Sequence, residues 1–325
     1  MGEKNYSNMI NNYAYAKMLD KIAYAKYKSH QYYEATLACK KSNISNPNSS
    51  YPFFLLGWIY KKQKDYSSGI SSFSKALEIE KIDDYFFGRG ICKYELNDFT
   101  SAIDDFKYSI FSEGEFKPNY YWIAKCKYEL NDFKNALSEL NKAFKLCAKY
   151  DSLNKWYEKE YLFSLRAKIQ YELDNYEDVI KDLNKAIEIN SENNNHFLLR
   201  AEAKYELNDL KGSLDDLNKS FVLNSKNDCA WNLKAFLKME IEDDEGAIKD
   251  LNKAIELNPN SDWYFSTRGM CKINQKFYQS AIDDFDKALE INPNNEESKK
   301  WRNECYLRLN QISSYFYHYF SLKLI

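Results

Sequence analysis

Residues 85–106 read YFFGRGICKYELNDFTSAIDDF, and closely related text returns as YYWIAKCKYELNDFKNALSEL from Tyr120 and as LLRAEAKYELNDLKGSLDDLNKS from Leu198. Looser copies begin at Ser164 and Phe265. Aligning the chain on itself gives a period of 34 and eight units, starting near Ala16, Ser50, Asp83, Lys117, Glu160, Asn194, Asp228 and Asp262. One residue is missing between the second and third units, and nine are added between the fourth and fifth. A period of this length marks one supersecondary unit in tandem, too small to bury its own apolar face and stable only when stacked on its neighbours.

Each unit carries two apolar patterns of helical spacing with a short polar turn between them. In the third unit Phe86, Gly90, Lys93 and Tyr94 share one helix, and Phe99, Ala102, Ile103, Phe106 and Ile110 share the next. Between the two, Asn97 is suited to the left-handed conformation that ends a helix, and Asp98 to capping the following one. The turn recurs as Asn131-Asp132 and Asn208-Asp209, and reversed as Asp174-Asn175. Small residues form two columns: Ala23, Gly57, Gly90, Ala124, Ala167, Ala201, Ala235 and Gly269 in the first helices, and Ala35, Gly69, Ala102, Ala136, Val179, Ser213, Ala247 and Ala281 in the second. Such columns let paired helices approach closely.

Composition agrees with an all-α chain. Of 325 residues, 44% are hydrophobic, 29% charged and 17% aromatic, while Gly numbers 9 and Pro 5, too few to punctuate many strands. Lys plus Arg total 46 against 48 Asp plus Glu, a net of -2 that argues against a nucleic-acid binder. The seven cysteines form no CxxC pair and no zinc-type cluster with the three histidines, so they are expected to be small buried hydrophobes in a reducing compartment. Residues 1–15 lack the apolar core of a secretory signal, and no run of about eighteen apolar residues occurs; a cytoplasmic protein without a membrane span is expected.

With period, small columns, an aromatic just before the second helix (Tyr32, Tyr66, Phe99, Phe133, Tyr176, Tyr278) and AIELNPN-type endings in place, the chain resembles the tetratricopeptide repeat (TPR) proteins. Asp244 and Leu210 depart from the aromatic position. The resemblance implies a superhelical solenoid of antiparallel helix pairs whose first helices line a concave groove. The chain then divides into a lead-in (1–15), eight TPR-like hairpins (16–295, with an irregular insertion near 144–160), a capping helix (296–311) and an aromatic tail (312–325). The insertion is either a longer helix or a bulging loop, and separates units 1–4 from 5–8. For the tail, docking on the capping helix is the favoured expectation over binding a partner.

The repeats also serve as a comparison set within one chain. Arg89, Arg166, Arg200 and Arg268 recur early in first helices, with Asp105, Asp182, Asp216 and Asp284 in the matching second helices, and Lys234 with Asp250 as a variant. Each Arg is expected to pair with the Asp of its own hairpin or of a neighbouring one, as an exposed structural contact contributing about 0–1 kcal/mol. The fourth unit breaks the rule with Ile123 and Glu139.

Groove-lining residues expected from the register are Tyr51, Phe54, Trp58, Phe87, Tyr94, Tyr121, Lys125, Tyr128, Lys168, Tyr171, Tyr205 and Phe236, with Glu202, Met239, Trp263 and Met270 alongside. An aromatic groove with a few lysines suits a peptide or helix with apolar anchors. The tyrosines of this set equally suit packing between adjacent first helices. A chaperone-type carboxylate clamp would need Lys and Asn where the chain has Asp20 and Tyr24, and an asparagine ladder would fall on Leu55, Trp122 and Leu165 among others; neither is present. No P-loop, nucleophile motif, metal set or cofactor loop occurs, and the paired acids repeat with the period, so neither catalysis nor a cofactor is expected. The leading expectation is a non-catalytic scaffold for another protein or peptide; a helical-repeat binder of single-stranded RNA, or an enzyme accessory subunit, are the alternatives.

Overall fold

The structure, a computed structural model, describes residues 2–110, 119–149 and 159–323, and every regular element among them is an α-helix. Two compact units divide the chain, residues 1–173 and 174–325. In the first, hairpins follow one another: α1 (Gly2–Lys28) with α2 (Tyr32–Ser45), α3 (Tyr51–Lys62) with α4 (Tyr66–Ile79), α5 (Asp83–Glu95) with α6 (Phe99–Tyr108), and α7 (Asn119–Glu129) with α8 (Phe133–Lys149), after which α9 (Lys159–Tyr171) packs on α8. In the second, α10 (Tyr176–Ile189) packs on α11 (Asn194–Glu206), which pairs with α12 (Leu210–Leu223); α13 (Asp228–Glu240) pairs with α14 (Asp244–Leu257), α15 (Asp262–Asn274) with α16 (Tyr278–Ile291), and α17 (Glu296–Lys323) closes the stack.

Among the described residues, eight other than glycine hold a positive φ between 58° and 64°: His30, Lys64, Asn97, Asn131, Asp174, Asn208, Glu242 and Lys276. They stand one per repeat, in the turn between first and second helix. A left-handed residue there releases the chain from the first helix and aims it back antiparallel. Asp65, Asp98, Asp209 and Asp243 then cap the second helices, their side chains accepting from the backbone N–H of Ser68, Ser101, Gly212 and Gly246 at 2.9–3.3 Å.

The core lies within and between hairpins. Ala23, Ala35 and Cys39 of the first repeat share a cluster with Leu55, Leu56 and Ile59 of the second, and Ile91, Ala102 and Phe106 of the third share one with Ile123 and Cys126 of the fourth. Leu162, Leu165 and Ile169 of α9 join Ala136, Leu140 and Ala143 of α8, which ties α9 to the fourth repeat. The boundary between the two units therefore falls in the turn after Leu173 and not at the insertion, where the register placed it.

Other expectations are corrected. Helix α1 begins at Gly2 and runs without a break into the first repeat, and α17 continues to Lys323, so the backbone of residues 312–323 prolongs the closing helix instead of folding back on it. Three extra helical residues lengthen α8, at 17 against the 14 of α10, α12 and α14; residues 150–158 of the insertion lie outside the described ones. All seven cysteines are free, but only Cys39, Cys92, Cys126, Cys271 and Cys305 are buried; Cys147 is half-buried and Cys229 exposed. Burial pushes the thiols of Cys39, Cys92, Cys126 and Cys271 up to about 12. No described helix is long and apolar enough to cross a membrane.

Arg89, Arg200 and Arg268 each grip both carboxylate oxygens of Asp105, Asp216 and Asp284 of their own hairpin at 2.6–3.0 Å. These carboxylates are buried, so the expectation of exposed, weak pairs does not hold for them. A lysine one turn after each arginine joins in: Lys93, Lys204 and Lys272 lie 2.7–2.8 Å from the same Asp groups, and Lys238 lies 2.7 Å from Asp250 while Lys234 is 3.9 Å away. In the fourth repeat Ile123 is buried where the arginine would stand, and Lys127 donates to Glu139 at 2.9 Å, joined there by Lys142 at 2.9 Å. Arg166 and Asp182 belong to different units.

Candidate functional site

First helices present two aromatic surfaces, one in each unit. In the first unit they stand on α3, α5, α7 and α9. Tyr51, Phe54 and Trp58 succeed one another along α3 at spacings of three and four residues, hence on one face. Ring centroids lie 6.2 Å apart for Tyr51–Phe54 and 6.3 Å for Phe54–Trp58. Phe54 also meets Phe73 at 6.1 Å and Tyr85 at 5.0 Å, and Trp58 meets Phe73 at 5.7 Å. Phe54 and Trp58 are thus half-buried wall residues, with Tyr51 the more open of the three. Phe87 packs on Phe106 at 5.8 Å and is likewise half-buried.

The tyrosine column has a definite structural part. Tyr94 Oη donates to Glu129 Oε1 at 2.8 Å, Tyr128 Oη to Glu172 Oε1 at 3.5 Å and, in the second unit, Tyr205 Oη to Glu240 Oε1 at 2.9 Å. Each bond runs from one first helix to the next, from a tyrosine to the glutamate that follows its own counterpart one repeat on. Glu95, Glu129, Glu172, Glu206 and Glu240 form a column as regular as the tyrosines, and the sequence reading passed it over. Burial and then the glutamate bond push the Tyr205 hydroxyl up to about 12. Tyr171 is half-buried on α9.

Lys125 occupies the centre of the first surface. Its Nζ lies over the ring of Tyr94 at 4.6 Å and over that of Trp122 at 4.9 Å, and Trp122 is flanked by Tyr94 at 5.3 Å and Tyr121 at 5.7 Å. Burial depresses the Lys125 ammonium below its ordinary value, with Lys168 on the next first helix adding to the effect and Glu95 and Glu129 opposing it. No carboxylate lies within 4 Å of Lys125 among the described residues. Burial likewise pushes the Tyr121 hydroxyl up to about 12, although the residue keeps a solvent-facing edge. The two ring faces hold the ammonium by cation–π contact, which partial desolvation strengthens. Lys168 is exposed and adds a second positive charge.

In the second unit Tyr205, Phe236 and Trp263 form a chain across α11, α13 and α15, with centroid separations of 6.4 and 6.3 Å. Trp263 is 48% exposed. Glu202 stands one turn before Tyr205, and its carboxyl is pushed up to about 7, first by burial and then by Glu206. The two surfaces thus differ in sign: a cation among rings in one, a readily protonated carboxyl beside rings in the other. Of the twelve residues expected to line a groove, the structure places Tyr51, Phe54, Trp58, Phe87, Tyr94, Tyr121, Lys125, Tyr128, Lys168 and Tyr171 in the first unit and Tyr205 and Phe236 in the second. Trp122, absent from that set, is the ring that seats Lys125. No group of three metal-ligating side chains is found among the described residues.

Sequence models of the tetratricopeptide repeat match residues 52–83, 118–150, 230–261 and 263–295. No curated protein matches the chain. Among solved structures, the crystal structure of the APC/C hetero-tetramer Cut9-Hcn1 is similar over 84% of this chain at 13% identity, with a TM-score of 0.62. The chain spans 52% of that relative, about half its length. A tetratricopeptide repeat protein from Parabacteroides merdae ATCC 43184 is similar over 79% of this chain and 99% of its own, at 16% identity and a TM-score of 0.57. Identities this low speak for the fold. Together with eight left-handed turns, one per hairpin, and helix pairs stacked at a 34-residue period, the matches of the repeat models show that the chain carries tetratricopeptide repeats in tandem.

Proposed function

We propose that the protein is a non-catalytic interaction scaffold whose first-helix surfaces hold a peptide or helical segment of a partner protein. Lys125 carries the reading. A lysine partly desolvated between Tyr94 and Trp122, with no carboxylate within 4 Å among the described residues, is suited to receive an anionic group. Tyr121 and Tyr51 supply contact area at low entropic cost on either side. The segment bound in the first unit therefore carries an acidic side chain or a terminal carboxylate next to an apolar anchor. Five buried free thiols support a reducing, cytoplasmic setting.

Selection of random peptides displayed on phage tests this. Recovered peptides should share an acidic residue beside an aromatic or aliphatic one, and should lose binding by tenfold or so (about 1.4 kcal/mol) with Lys125→Glu or Tyr121→Ala. Trp58→Ala is a poorer probe, because Trp58 packs against Phe73 and its loss opens the wall itself. Peptides that bind both variants as well as the parent chain would place recognition elsewhere.

A further inference from the structure

Across the eight repeats, counted from their first residues at Ala16, Ser50, Asp83 and so on, the third and tenth residues stand on the first helix and face the preceding hairpin. Seven of the eight copies are buried at both places: Tyr85, Leu162 and Tyr264 represent the third residue, and Ile59, Cys126 and Ile169 the tenth. The cover is a helix pair, and it is bonded as well as packed. Tyr85 Oη lies 2.9 Å from Ser50 Oγ one repeat back, and Tyr264 Oη donates to Asp228 Oδ2 at 2.9 Å in the same relation. The first repeat is the exception. Met18 at the third place is 48% exposed and Ala25 at the tenth is open, while Ile22 at the seventh is 41% exposed, where Leu56 and Ile123 are buried and the other five repeats carry a half-buried Arg or Lys. On the neighbouring helix α2, Tyr33 and Leu37 are 72% and 41% exposed at places where the other seven repeats all carry a polar residue. Helix α1 packs on α2 and α3, and its buried residues Ala16, Leu19 and Ala23 lie on another side.

We propose that this face of the first repeat docks an acidic amphipathic helix of a partner protein, in the place a preceding hairpin occupies in repeats two to eight. Shape comes from the seven internal precedents, each of which meets the same helix face with a helix. Sign comes from the charges around it: residues 12–45 carry Lys17, Lys21, Lys26, Lys28, Lys40 and Lys41 against Asp20 and Glu34 alone. Asp20 is moreover half-buried and accepts from Ser42 Oγ at 2.6 Å, so it is turned away from the open face. Two such faces on two copies of the chain would meet with like charge, which disfavours a symmetric dimer. The surface is separate from the aromatic one at Lys125, and each can fail without the other.

A helix of the chain itself supplies the probe. Residues 278–291 (YQSAIDDFDKALEI) form the second helix that covers α17, and carry Asp283, Asp284, Asp286 and Glu290 against Lys287. A lactam-stapled, fluorescein-labelled peptide of this sequence is titrated with the full chain; the staple is needed because a helix this short is marginal in water. On the Lys125→Glu chain, which takes the aromatic surface out of play as a second site for an acidic peptide, binding should appear as a rise in anisotropy and weaken about tenfold when Ile22→Lys or Lys21→Glu is added. Both first-repeat residues are exposed, and an unchanged melting temperature shows that the variants fold. Failure of the peptide to bind, or binding indifferent to both first-repeat variants, overturns the proposal. So does a concentration-dependent dimer in sedimentation that Ile22→Lys abolishes, or co-sedimentation with phosphatidylserine vesicles that both first-repeat variants abolish.

Discussion

Gly269 faces the ring of Phe285 so closely that a Cβ on the glycine would lie 2.8 Å from Phe285 Cζ. Gly90 stands in the same relation to Phe106, at 2.9 Å from Cε1, and Gly57 to Phe73, at 2.6 Å from Cζ. Sixteen residues separate each pair, and in three further repeats the first member is alanine and the second leucine: Ala124 with Leu140, Ala201 with Leu217, Ala235 with Leu251, while the first repeat has Ala23 with Cys39. The three phenylalanines and three leucines are fully buried. These six hairpins thus fill a similar volume in either of two ways, a ring against no Cβ or a leucine against a methyl group. Gly269→Ala should therefore destabilise by about 1–3 kcal/mol, less what the better helix former returns. Phe285→Leu alone should open a cavity at comparable cost. The double substitution recreates the alanine–leucine pair, and in urea unfolding should be milder than the sum of the singles by about 1 kcal/mol or more. Strict additivity would refute the pairing.

The Arg200–Asp216 contact spans more than its own hairpin. Nε and Nη2 hold the two oxygens of Asp216 at 2.7 and 2.6 Å, while Nη1 reaches Asn184 of the preceding second helix. Arg268 repeats this, with Nη1 on Asn252 at 2.6 Å, and Arg89 reaches Ser74 at 3.2 Å. One guanidinium therefore joins three helices, which a lysine cannot copy with a single ammonium. The Asp216 carboxyl is held below its ordinary value because Arg200 and Lys204 outweigh the opposing effect of burial. Asp216→Ala leaves two cations facing each other without their anion and should cost about 3–5 kcal/mol, read as a lower urea midpoint. A loss below about 1 kcal/mol would mean that the cations swing into solvent.

Period, helix pairing and the small columns were readable because they are dictated by side-chain size at fixed spacing. The sorting of glycine with phenylalanine needed the second helix brought alongside the first. Likewise, Lys93, Lys204, Lys238 and Lys272 sit one turn after the residues singled out as ion-pair partners, plainly on the same face, yet only the fold shows that both cations share one Asp. For Tyr94 and Tyr205 the sequence left lining and packing open; the bonds to Glu129 and Glu240 show that the hydroxyls are engaged within the chain while the ring edges still face outward. Trp122 escaped notice because its place in the register belongs to leucine in other repeats, such as Leu55 and Leu165.

Turn chemistry yields a prediction of opposite sign. Lys276 and Glu242 hold φ of 64° and 59°, a conformation that Asn97, Asn131 and Asn208 adopt at lower cost in sister repeats. Lys276→Gly should stabilise the chain by about 1 kcal/mol, and Asn97→Gly by less, in parallel urea titrations. A destabilising Lys276→Gly would show that the lysine side chain makes a contact worth more than the backbone strain.

Glu202 couples the second aromatic surface to pH. Its carboxyl titrates at about 7 in the folded chain, raised chiefly by burial and less by Glu206, against an ordinary 4.5. The folded chain therefore keeps a proton there that the unfolded chain gives up above pH 4.5. The stability due to this proton is complete below pH 4.5 and is lost as pH rises through about 7, by at most about 3 kcal/mol. Glu202→Gln removes the titration, so parent and variant should melt together near pH 4.5 and the variant should melt higher at pH 8. Glu206→Gln removes only the smaller cause and should shift the midpoint of the difference slightly towards acid. Melting curves of parent and Glu202→Gln that stay parallel from pH 4.5 to 8 would mean that the carboxylate is solvated, and would leave the Tyr205–Phe236–Trp263 surface without its titrating neighbour.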